Sequence, residues 1–401
     1  MTTQHPTRVP PVDLESLSER QQHVRAKLGP YGEGEVSLMM RTFLNYPEFT
    51  RSIGRIGTRV TLTSDLGPRL SRLACLRAAW LTRSEYLWAH LREAALAEGL
   101  GKEEIAAVVD GGAGTALTSI ERHVVEGVDE LHLTYYLSEE KWYRIGRLGP
   151  TAVMDLVTTY GFVATLAVAL ATMGVALEEG LEGWGEARPD DAPPVRDIPS
   201  SRELPKRVFE ADYALLSPRQ VEQTQRMGRR GKPTTSKLQR AMINYPDFLG
   251  AISAFGKRAI DDTCLPARTW QLACMRTVWL CDSEYLWSQH RKAILALGVT
   301  DADLAGVAEG PDSPALRGFD RVVVRAVDEM YVDHRLSDET WAELEQLGQE
   351  GVTDLVLVHG LYILQACVAR CFGTTLEEGA VGYLPEIEPL RSRRPEGRTD
   401  G

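Results

Sequence analysis

The chain repeats itself at one fixed spacing. Asn45-Tyr46-Pro47-Glu48-Phe49 returns as Asn244-Tyr245-Pro246-Asp247-Phe248, Leu73-Ala74-Cys75 as Leu272-Ala273-Cys274, and Leu177-Glu178-Glu179-Gly180 as Leu376-Glu377-Glu378-Gly379, each 199 positions later. Asp129-Glu130 and Asp328-Glu329 keep that offset, as do Trp142 and Trp341. One offset serves from about residue 16 to 184 without an insertion, so the loops have kept their lengths. This is a duplicated domain, because the unit is far longer than a solenoid repeat. The expected division is a first copy over 16–184, a linker over 185–214 and a second copy over 215–384. Pro and charge dominate the linker, which suits an extended segment. The tails, 1–15 and about 386–401, read as mobile in the same way.

Each copy reads as helical. Residues 265–298 place apolar side chains at helical spacing, with Gly298 as a stop and Thr300-Asp301-Ala302-Asp303 as a capped start. Three more helices follow, over 319–332, from Ser337-Asp338 and from Thr353-Asp354 to Gly373. The expectation is an all-α fold with about six to eight helices per copy, the most apolar one late in each.

Glu284, Trp287 and His290 fall near 0°, −60° and −120° on one helix, at about 100° per residue. A carboxylate and an imidazole on adjoining turns, beside an indole that excludes water, can share a proton near neutral pH. The first copy keeps Glu85 and Trp88 but puts Leu91 third and moves the histidine to His90. It therefore reads as having lost one member of the set. For Glu284 and Glu85 the competing reading is a buried carboxylate paired with an arginine such as Arg276 or Arg77. Tyr285 and Tyr86 read more readily as core, and Asp129-Glu130 and Asp328-Glu329 as local structure.

The run Glu284-Tyr285-x-Trp287-x-x-His290, with Gly298-Val299-Thr300 and an acidic helix start behind it, resembles the all-α carboxymuconolactone decarboxylase and alkylhydroperoxidase-like superfamily. Ala326-Val327-Asp328-Glu329, Ser337-Asp338-Glu339-Thr340-Trp341 and Gly360-Leu361-Tyr362 are similar to its cysteine-free branch, over about 40–183 and 239–382. The resemblance implies two tandem helical domains forming a pseudo-dimer on one chain, with room to associate further as a dimer or trimer. It also implies acid/base chemistry without a cofactor, on a small carbon acid or lactone-type metabolite, through Glu284, His290 and Tyr362. Trp287, Tyr285, His359, Glu85 and Trp88 complete the expected substrate-binding set. The second copy is the site-bearing candidate, since the first has Val163 where the second has Tyr362.

The peroxidase branch uses a CxxC whose two places are Ser283 and Leu286 here, and Ser84 and Leu87 in the first copy. A thiol peroxidase needs a low-pKa thiolate and a resolving partner, which this pattern does not offer. The six cysteines form no zinc spacing, so no metal is expected, and they read as buried apolar groups, Cys367 and Cys371 included. Net charge of −11 argues against nucleic acid, and Arg229-Arg230-Gly231-Lys232 reads as a solvated loop. The N-terminus lacks a secretory pattern, and the apolar run Val163 to Val175 is shorter than a bilayer requires. A cytoplasmic protein with a small-molecule substrate and no membrane partner is expected. The competing class is a non-catalytic binding or scaffold protein on the same fold, with peroxide reduction behind it.

Overall fold

A computed structural model describes residues 7–28, 36–184, 189, 199–227 and 236–392. These residues contain helices and no strand. In the first half they are α1 (Glu19–Ala26), α2 (Leu38–Phe43), α3 (Pro47–Leu62), α4 (Gly67–Leu81), α5 (Glu85–Ala97), α6 (Lys102–Val109), α7 (Ser119–Thr134), α8 (Glu139–Gly146) and α9 (Ala152–Met173). The second half runs α10 (Pro218–Met227), α11 (Lys237–Met242), α12 (Pro246–Ile260), α13 (Ala267–Leu280), α14 (Glu284–Leu295), α15 (Asp301–Glu309), α16 (Phe319–Val332), α17 (Asp338–Leu344) and α18 (Gly348–Phe372). Each half thus holds more helices than expected, because short α1, α2, α10 and α11 precede the repeated apolar stretches.

Local chemistry sets most boundaries. Pro47 and Pro246 open α3 and α12, where a missing N–H costs nothing. Thr118 and Glu121 form a capping box on α7, and Thr300 and Asp303 form one on α15, as their spacing predicts. Gly174 and Gly373, both left-handed, end α9 and α18. Thr353 is no cap, because α18 begins at Gly348 and the Thr353 hydroxyl bonds the Glu350 carbonyl inside the helix. The long stretch after residue 265 is two helices, broken where Asp282 adopts φ +50°.

α9 and α18 pack against each other at the centre. Gly161 and Gly360 sit where they cross. A methyl on Gly360 would lie 2.1 Å from Thr165 Oγ1, and one on Gly161 3.0 Å from Leu364 Cδ1. At 22 residues α9 is long and apolar enough to span a bilayer, contrary to the shorter run read from sequence, and α18 qualifies too. Both are apolar on all sides because they are buried inside the protein. α3 packs on α12 in the same way, so the halves share one core.

Buried arginines tie the halves internally. Arg276 grips Asp328 at 2.6 and 2.7 Å and donates to the Val307 and Ala308 carbonyls, while Arg77 does the same with Asp129, Val108 and Val109. The Ser138 and Ser337 N–H groups bond Glu130 and Glu329, so both Asp-Glu pairs are structural.

The described ends of the tails and linker pack closely, which corrects the expectation of mobility there. The Arg8 and Val9 N–H groups reach the Met173 carbonyl, and those of Arg207 and Val208 the Phe372 carbonyl. Each strand of chain thereby satisfies a carbonyl at the end of a central helix. Most of 185–198, and the basic run 229–232, lie outside the described residues.

Candidate functional site

The expected ribbon on α14 divides into two environments. Glu284, 3% exposed in the first turn, is held by Arg202: Nε donates to Oε2 at 2.6 Å and Nη2 to Oε1. The Tyr383 N–H adds a bond at 2.9 Å, and a methyl on Gly382 would lie 2.0 Å from Oε1. Burial pushes the Glu284 carboxyl up, but the Arg202 and Tyr383 bonds and nearby Arg391 outweigh it and hold the pKa below the usual carboxylate range. Trp287 is buried between Trp279 and Tyr383, at ring separations of 5.5 and 5.6 Å.

His290 lies about 9 Å further along the helix and a third of a turn round. The expected proton sharing with Glu284 therefore gives way to a different group. His290 Nδ1 is 3.2 Å from Gln271 Oε1, its ring stands edge-on to Tyr362 at 5.0 Å, and Trp270 lies 5.5 Å away. An amide oxygen only accepts, so in the neutral ring Nδ1 carries the proton and Nε2 is basic. His290 is half-buried, hence reachable from solvent, whereas Tyr362 is buried and its hydroxyl bonds the Cys274 thiol.

Trp270, Gln271 and Cys274 are absent from the sequence-derived set. The signal for two of them lies in differences between the halves: Trp270, Gln271, His290 and Tyr362 stand where the first half has Ser71, Arg72, Leu91 and Val163. Four changed positions, scattered over 93 residues of sequence, meet at one place.

His359 is not part of this group. It is buried on α18, with Nδ1 3.0 Å from Thr277 Oγ1, and lines a cavity of about 10 Å³, a single water's worth, with Tyr135, Tyr160, Tyr331 and His334. Tyr285 donates to Glu377 at 2.8 Å and contacts Ser236, a packing role.

The first half has its own cluster. The displaced His90 meets Glu178, Nε2 to Oε2 at 2.6 Å, and Tyr86 donates to the other Glu178 oxygen at 2.6 Å. The Leu38 N–H also bonds Glu178. Burial raises the Glu178 carboxyl, but these bonds prevail and take it down to about 2. Moving the histidine by one place therefore exchanged Gln271-type surroundings for a carboxylate. Glu85 accepts the Trp184 N–H at 3.2 Å, and Trp88 packs between Trp80 and Trp184. Beside them lies a cleft of about 410 Å³, lined by Arg83, Glu85, Tyr86, Glu178 and Trp184 among others.

The thiols are ill suited to redox work. Burial pushes Cys75 and Cys371 up to about 12, Cys264 up to about 11, and Cys274 and Cys367 well above the ordinary range. Among the described residues no three His, Cys, Asp or Glu side chains converge as a metal site.

Residues 47–130, from α3 through most of α7, match the carboxymuconolactone decarboxylase family, in agreement with the all-α fold. No curated protein and no solved structure matches the chain.

Proposed function

We propose that the chain is a cofactor-independent enzyme of the acid/base type, acting on a small carbon acid or lactone-type metabolite, with His290 as its proton-transfer group. The observation that carries this is the His290 environment: Gln271 fixes the tautomer, Trp270 and Tyr362 supply aromatic walls, and the ring remains reachable. Such a base takes a proton from carbon through Nε2, and the resulting imidazolium returns it to another atom of the same substrate. Isomerisation, ring opening or closing, and dehydration fit one group that takes and returns a proton. In a decarboxylation, His290 first takes the proton of the substrate's carboxyl group, carbon dioxide leaves, and the imidazolium returns that proton to the carbanion. The duplicated unit gives the first half a supporting role in this reading.

A second reading, a binding or scaffold protein, is favoured by the filled cradle around Glu284, which Arg202 occupies from within the chain. The two are separated by incubating wild type, His290→Ala and His90→Ala, with no added metal or cofactor, in a small-molecule extract of the source cells. A mass consumed by wild type and His90→Ala but not by His290→Ala is expected, and its change gives the reaction. No consumption by any of them, with a small molecule retained by all, would make it a binding protein. Loss with His90→Ala alone would move the site to the first half.

A further inference from the structure

The two Glu sites at the starts of α5 and α14 are built alike, and one already shows its occupant. In the second half the segment 199–208 runs across the end of α18. Arg370 donates to the Pro199 carbonyl at 2.8 Å, the Ser201 N–H bonds Asp282 at 3.1 Å, and Arg202 clasps Glu284 with its guanidinium. The segment leaves by the Arg207 and Val208 N–H groups on Phe372.

The first half repeats this frame around its cleft. Arg8 and Val9 hold Met173 as Arg207 and Val208 hold Phe372. Glu85 has the posture of Glu284: a backbone N–H on Oε1, from Trp184 here and Tyr383 there, and a glycine pressed against it. A methyl on Gly183 would lie 2.1 Å from Glu85 Oε1, against 2.0 Å for Gly382 and Glu284. What differs is the cation. Thr3 stands 199 positions before Arg202, and among the described residues no guanidinium or ammonium pairs with Glu85. The cleft of about 410 Å³ opens where the second half carries its own arginine, and Glu178 and Glu179 also line it.

We propose that this cleft is a binding site for a guanidinium group, which Glu85 takes as Glu284 takes that of Arg202. A carboxylate whose orientation is fixed by a backbone N–H matches the fork of a guanidinium, and an ammonium fits less well. The site is separate from His290, and the inference does not depend on catalysis there.

Calorimetric titration of the full chain tests it with three probes: free arginine, agmatine, and the peptide Pro-Ser-Ser-Arg-Glu-Leu-Pro, which is the sequence of 199–205. Citrulline, alone or replacing arginine in the peptide, is the neutral control. Expected is saturable binding of at least one guanidinium probe, none by its citrulline counterpart, and weakening of at least about tenfold in Glu85→Gln with the melting temperature unchanged. The probe that binds names the source: a free metabolite if arginine or agmatine, a peptide otherwise. Absence of binding by all three overturns the proposal, as does equal binding by citrulline or by Glu85→Gln. Binding only by a chain that begins at Thr7 would make the protein's own first residues the occupant, and would overturn it too.

Discussion

Arg202 and Glu284 show how one side chain can decide what another is for. The Glu284 side chain is 5% exposed and that of Arg202 50%, so removing the arginine leaves a buried charge while exposing little else. Arg202→Ala should lower stability by about 1–3 kcal/mol, below the 3–5 of a fully buried pair because half of the arginine faces water. The sign with pH follows from Glu284. Its folded pKa lies below the ordinary value, so its stabilisation is present above the ordinary carboxylate range and fades as pH falls through the folded value. Without Arg202, burial dominates and raises that pKa, so the deficit should be full near pH 7 and shrink towards about pH 3.5. Urea unfolding of both proteins at the two pH values checks this, and a deficit that does not change with pH would mean that Arg202 acts through packing. The α14 ribbon was legible from spacing because helical angles are local. Its division was not, since Arg202 lies 82 residues away in a stretch whose composition suggests only a linker. His90 tells the same story: its one-place shift is plain in the sequence, but Glu178, 88 residues on, gives the shift its meaning.

At the scale of elements, the crossing of α9 and α18 is what two glycines permit. Thr165 Oγ1 already donates to the Gly161 carbonyl at 2.7 Å, so it cannot turn aside without losing that bond. Gly360→Ala should therefore force the helices apart and cost about 1–3 kcal/mol. Gly256→Ala serves as the control, because that glycine is helical with open space around its Cβ position; there the better helix former should gain up to about 1 kcal/mol. Denaturant midpoints for the two variants measure the contrast, and equal effects would show that the crossing has slack. Helix type was readable in the repeated apolar stretches, since periodicity and caps are written in neighbouring residues, but not for the short α1, α2, α10 and α11. The start of α18 was misplaced because Asp354, which mimics a first-turn acid beside Thr353, is committed to Arg258 at 2.8 and 2.9 Å. A tertiary partner overrode a local signal.

For the whole molecule, the question is whether two similar halves behave as two folding units. The contacts between them are not a rim. The Arg8 guanidinium crosses to the Leu336 carbonyl, Arg207 to that of Leu137, and Arg370 to that of Thr134, while the Tyr46 hydroxyl reaches Gln349. At the centre, His132, Tyr135 and Tyr160 correspond by the 199 offset to Tyr331, His334 and His359, so histidine and tyrosine exchange places at three paired positions. The rings meet across the boundary, His132 with His334 at 5.9 Å and Tyr135 with Tyr331 at 6.3 Å. An interface of identical surfaces needs no such exchange; one whose two sides are covalently linked is free to become complementary. Separating the halves would expose the faces of α9 and α18 that now bury each other. Unfolding of the full chain should accordingly be one cooperative transition. Hydrogen exchange across a urea series tests this directly: α9 and α18 should lose protection at the same concentration, and Gly360→Ala, though placed in the second half, should shift both together. If α18 alone moved, the halves would be separate folding units and the shared core only a contact between them.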